Sequence, residues 1–156
     1  MSKHGRMAAA GAAMALATIG LGATAAAAAT PTPFTITETF DASVEGDPTF
    51  TATGDLCPAG TLSDDVSVFA GNPVKPKAAL LIRTVYTCAD GSGQFFAQKH
   101  VFIEFGETGL TNTGPVSLVG GTGRYANLSG HGTDVGFQDF ESGTGVGVLT
   151  GVLSLR

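Results

Sequence analysis

From residue 34 to the C-terminus, apolar and polar residues alternate with a period of two in short runs, and turn-forming clusters interrupt the runs. The runs fall at 34–40, 49–53, 65–70, 78–88, 94–105, 115–119, 131–138 and 146–155. Between them lie Glu45-Gly46-Asp47-Pro48, Cys57-Pro58-Ala59-Gly60, Gly71-Asn72-Pro73, Ala89-Asp90-Gly91-Ser92-Gly93 and Ser142-Gly143-Thr144-Gly145. No window in this part carries a sustained helical stripe. The pattern predicts an all-β chain of about eight antiparallel strands, closed as a barrel or packed as a sandwich.

Residues 1–29 read differently. Lys3 and Arg6 precede a run from Met7 to Ala29 that carries no charge and is mostly alanine and glycine, and Ala27-Ala28-Ala29 offers a small-residue cleavage site. This is the pattern of a Sec-type secretory signal peptide. Cleavage there leaves one domain at 30–156 and predicts a secreted protein with no membrane partner. All thirteen acidic residues stay with that domain, so it is more acidic than the whole chain's net charge of −5. Nucleic acid is not an expected partner, because phosphate binding needs clustered Lys and Arg. Cys57 and Cys88 are the two cysteines, and in an oxidising compartment they are expected to form a disulfide closing a loop of about thirty residues. Neither has a histidine at ligand spacing, so no metal site is expected.

Several side chains are candidates for chemistry. Glu38 shares a strand face with Phe34, Ile36 and Phe40. If that face points inward, a carboxylate sits in an apolar lumen and can act as a general acid or base. The alternative is a strand-end glutamate reaching solvent. Arg83, between Leu81 and Val85, could hold an anionic or carbonyl group, or lie outward over apolar neighbours. His100 shares its face with Gln98 and Glu104, and could shuttle a proton or simply be solvated. His131 has the same two readings. Phe34, Ile36, Phe40 and Tyr86 are the candidate ligand-binding residues. The segments 78–88 and 94–105 carry apolar residues on both faces, an arrangement that homo-oligomerisation would explain.

Gly121-Thr122-Gly123-Arg124-Tyr125-Ala126 matches a loose dinucleotide-binding pattern, but Gly130 and Gly132 break the helix such a site requires. No cofactor is expected. The chain has no tryptophan, which weakens a carbohydrate-binding reading. Asn127-Leu128-Ser129 is a glycosylation sequon.

The segment Val119-Gly120-Gly121-Thr122-Gly123-Arg124-Tyr125, followed by Ser129-Gly130-His131-Gly132, reads as a strand, a glycine corner, one helical turn and a new strand. It resembles the corner of the dirigent-like and allene oxide cyclase-like β-barrels, and the form with Cys57 and Cys88 resembles a secreted bacterial branch. The resemblance implies a single eight-stranded antiparallel barrel with an apolar lumen, often trimeric. It also implies steering or cyclisation of a small apolar molecule by lumenal Asp, Arg and Tyr residues, or by a buried Glu. Glu38 is loosely like that internal acid. The leading expectation is binding of a small apolar or amphipathic molecule in the lumen. A cyclase or isomerase using Glu38, Arg83 and His100 is the second, and a non-catalytic structural or interaction protein the third.

Overall fold

The computed structural model describes residues 30–71 and 77–156, with side chains described outside 67–71. The expected signal peptide at 1–29 and turn residues 72–73 lie outside the described residues. Eight strands close a barrel in sequence order: β1 (Thr32–Asp41), β2 (Thr49–Thr53), β3 (Ala59–Gly71), β4 (Lys77–Cys88), β5 (Gln94–Phe105), β6 (Gly109–Gly121), β7 (Ser129–Asp139) and β8 (Thr144–Ser154). Every neighbouring pair is antiparallel, and β1 pairs with β8 to complete the ring. Closure leaves no free sheet edge. The barrel alternative is the one observed; a sandwich is not.

Two strands begin well ahead of the apolar pattern, whereas the others begin within two residues of it. β3 starts at Ala59 and β6 at Gly109, six residues ahead of the runs at 65 and 115 in each case. Their opening halves, Ala59-Gly60-Thr61-Leu62-Ser63-Asp64 and Gly109-Leu110-Thr111-Asn112-Thr113-Gly114, are small and polar apart from one leucine each. Pairing with strands already fixed by their apolar faces holds them, Asp64 opposite Thr84 on β4 and Asn112 opposite Ile103 on β5.

One half of the lumen is filled. Phe34, Ile36, Phe50, Leu62, Tyr86, Phe95, Leu118, Leu149 and Leu153 form a continuous buried cluster with Tyr125 and Leu128 from the glycine corner. Tyr86 stacks on Phe95 with ring centroids 4.6 Å apart, and Phe50 meets Tyr86 edge-on at 5.1 Å. Each such side chain contributes about 1.5–3 kcal/mol on burial. The helical turn spans Gly123–Tyr125 and sets the Tyr125 ring beside Phe95 at 5.3 Å. Gly123 sits at φ +57°, where a Cβ would also come within 2.5 Å of the Ser92 carbonyl oxygen. Cys57 and Cys88 join the same cluster at disulfide distance, their sulfurs 2.10 Å and their Cα atoms 5.9 Å apart.

Candidate lumenal site

Above the filled half, the inner faces of the strands change chemistry. Glu38 on β1 and Lys99 on β5 are each only 2 % exposed. The Lys99 ammonium donates to Glu38 Oε1 at 2.5 Å, and the Tyr86 hydroxyl donates to the same oxygen. Strand β1 and the distant β4–β5 pair thus meet at one carboxylate oxygen. Burial of this kind requires pairing, since an isolated charge in an apolar lumen costs several kcal/mol. Burial, and next the Glu38 charge, push the Tyr86 hydroxyl well above its ordinary value, so it remains a neutral donor. Glycines clear space for this belt. A Cβ at Gly147, opposite Glu38 on β8, would lie 2.9 Å from Glu38 Oε2, and one at Gly136 would lie 2.2 Å from Asn112 Oδ1.

A second carboxyl group lies across the same belt. Asp134 on β7 is 3 % exposed, and the Asn112 amide donates to its Oδ2 at 3.2 Å. Its other oxygen, Oδ1, is buried and has no hydrogen-bond partner among the described residues. Burial pushes the Asp134 carboxyl up to about 6; Glu38 and Asp64 add to the rise, and Lys99 and Asn112 oppose it. Asp64 on β3 accepts a hydrogen bond from the Thr84 hydroxyl at 2.5 Å.

This belt is the floor of an open cavity of about 290 Å³. Its walls include Phe40, Leu80, Ile82, Val101, Ile103 and Leu110, and Phe137 and Val146 also line it. Glu38, Asp64, Lys99, Asn112 and Asp134 supply the polar lining. The barrel is therefore a cup: one end plugged, the other open, with a charged floor between.

The structure brings together some of the residues expected from sequence and separates others. Glu38 and Phe40 line the cup, and Tyr86 reaches its floor through the hydroxyl. Phe34 and Ile36 do not line it; they sit in the plug, where the cluster closes over them. Arg83 and His100 do not join Glu38 in the lumen; of the two readings given for each, the outward arginine and the exposed histidine are the ones observed. Both are exposed, because alternation puts Thr84 and Lys99 inward instead. The Arg83 guanidinium lies over the Phe96 ring at 5.0 Å on the outer wall. His131 is exposed as well. The second apolar face noted for 94–105 lies on the outer wall, where Phe102 is 61 % exposed, and Val135 on β7 is also exposed.

Lys99, Asp134, Asp64 and Asn112 were not among the expected site residues. Lys99 does carry a signal, a cation in register with Phe95, Ala97, Val101 and Ile103 on one strand face. Asp134 carries almost none, since its inward neighbours are Gly130, Gly132 and Gly136. Comparison with protein-family models, with curated proteins and with solved structures finds no match to this chain.

Proposed function

We propose that the protein binds one small amphipathic molecule in the cup, its apolar body against Leu80, Ile82, Val101 and Ile103 and its polar end at the floor. The observation that carries this reading is the open cavity of about 290 Å³, apolar in its walls and charged at its base. Ligand pockets combine those two features, and eight-stranded barrels are wide enough to hold one small ligand. The signal-peptide pattern and the cysteine pair support a secreted protein. The closed eight-stranded barrel and the glycine corner support kinship with the dirigent-like and allene oxide cyclase-like barrels, as an analogy of fold.

A second reading, proton transfer on the bound molecule in an isomerase or cyclase, is favoured by one observation. A carboxyl group raised to about 6 beside an apolar cavity can give or take a proton near neutral pH. In that reading Asp134 replaces Arg83 and His100 as the working group.

Fluorescence of the uncharged dye N-phenyl-1-naphthylamine tests the binding reading. The dye is expected to brighten with the protein, and Ile103→Trp, which fills the cup, is expected to abolish the response. Phe102→Ser on the outer wall is expected to leave it unchanged. A response lost in Phe102→Ser and kept in a folded Ile103→Trp would place the dye outside the barrel and reject the reading.

A further inference from the structure

The charge inventory of the cup points to the chemical class of its occupant. Three carboxyl groups, Glu38, Asp64 and Asp134, line it against one cation, Lys99. That cation is already bound to Glu38 at 2.5 Å. The other basic side chains on the neighbouring strands face away: Arg83 and His100 are on the outer wall, and Lys77 is paired with Glu104 in solvent. The partners of Asp64 and Asp134 are neutral, Thr84 and Asn112. Asp134 Oδ1 is a buried acceptor with no hydrogen-bond partner among the described residues, and a donor on a ligand would satisfy it.

We infer, on the basis of the cup-binding reading above, that the occupant is a protonated amine with a small apolar body, its ammonium seated against Asp134. An anionic headgroup would meet three carboxyl groups and an ammonium already committed. An uncharged headgroup would satisfy the free oxygen without balancing its charge. A divalent metal ion asks for about six oxygens, whereas an alkylammonium asks for a charged acceptor and an apolar wall.

The titratable groups facing Asp134 are Glu38 from β1, Asp64 from β3, Tyr86 from β4 and Lys99 from β5; Asn112 from β6 is neutral, and β8 contributes Gly147. Because burial raises the Asp134 carboxyl to about 6, it gains a proton as pH falls from 8 to 5 while an alkylamine stays protonated throughout. Amine affinity therefore falls with pH over that interval.

Isothermal titration of the protein with hexylamine, 1-hexanol and hexanoate separates the cases. At pH 8 hexylamine is expected to bind about tenfold tighter than 1-hexanol, with hexanoate weakest. That advantage is expected to shrink at pH 5 and to vanish in Asp134→Asn, where hexylamine binds no tighter than 1-hexanol. Equal affinity for hexylamine and 1-hexanol overturns the amine assignment and leaves the cup reading standing. Hexanoate binding tightest overturns it in favour of Lys99 as the anchor. An amine advantage that survives Asp134→Asn overturns the role of Asp134. Binding of none of the three overturns the cup reading and this inference with it.

Discussion

Glu38 Oε1 receives both the Lys99 ammonium and the Tyr86 hydroxyl in a region almost closed to water. Removing one member of a buried ion pair leaves the other uncompensated. Lys99→Met is therefore expected to cost about 3–5 kcal/mol in urea unfolding, and adding Glu38→Gln to recover part of the loss. A double variant whose loss equals the sum of the losses of Lys99→Met and Glu38→Gln made singly would show that the pair is not coupled. Asp134 acts in the opposite sense. Its folded-state carboxyl is raised to about 6, so between the ordinary 3.8 and that value the native state holds more protons than the unfolded chain. Stability tied to Asp134 is thus present at low pH and lost as pH rises through 6. Asp134→Asn is expected to raise stability by roughly 2–3 kcal/mol at pH 8 and to change it little at pH 4, as thermal unfolding at the two pH values will measure. Glu38 was legible as a candidate because it interrupts Phe34, Ile36 and Phe40. The pairing with Lys99 was not, because it joins residues 61 positions apart and depends on barrel closure. Asp134 was hidden by its glycine neighbours, which give its strand face no apolar signature.

The strands were legible where their inner faces are apolar and obscure where they are small and polar. β5, with Phe95, Ala97, Val101 and Ile103 inward, was bounded correctly from its alternation alone. β3 and β6 lost their first halves, which partner strands hold in place. The glycine corner holds the single helical turn expected from its sequence, and Tyr125 within it is buried. Gly123→Ala forces a side chain into the left-handed region and against the Ser92 carbonyl, and is expected to cost about 1–3 kcal/mol in the same unfolding assay. Cys57, between β2 and β3, ties to the end of β4 across a sequence separation of 31. In the chain-entropy model a loop of that size contributes about 3–4 kcal/mol. Replacing both cysteines with serine is expected to lower stability by that amount. The cup should remain intact, because the cysteines belong to the plug. A double serine variant as stable as the parent would argue against the bridge.

At the scale of the whole molecule, closure of the sheet and incomplete filling of its interior define what the protein can do. Aromatic and aliphatic side chains occupy one half, so the barrel is no open channel; small and branched residues line the other, so it is no solid core. The polar belt divides the two, and its charges are held by residues from β1, β3, β4, β5, β6 and β7, which only a closed barrel brings together. Alternation predicts about eight antiparallel strands and puts Glu38 on an apolar face, but not whether that face is lumenal or how far the filling extends, since both depend on which side chains meet across the closed barrel. Methyl-resolved NMR of the protein titrated with 1-hexanol tests this division most directly. The account predicts shifts for the methyl groups of Ile82, Val101, Ile103 and Leu110, with Leu118, Leu149 and Leu153 unmoved. Shifts confined to Val135 on the outer wall, or spread through the plug, would contradict it.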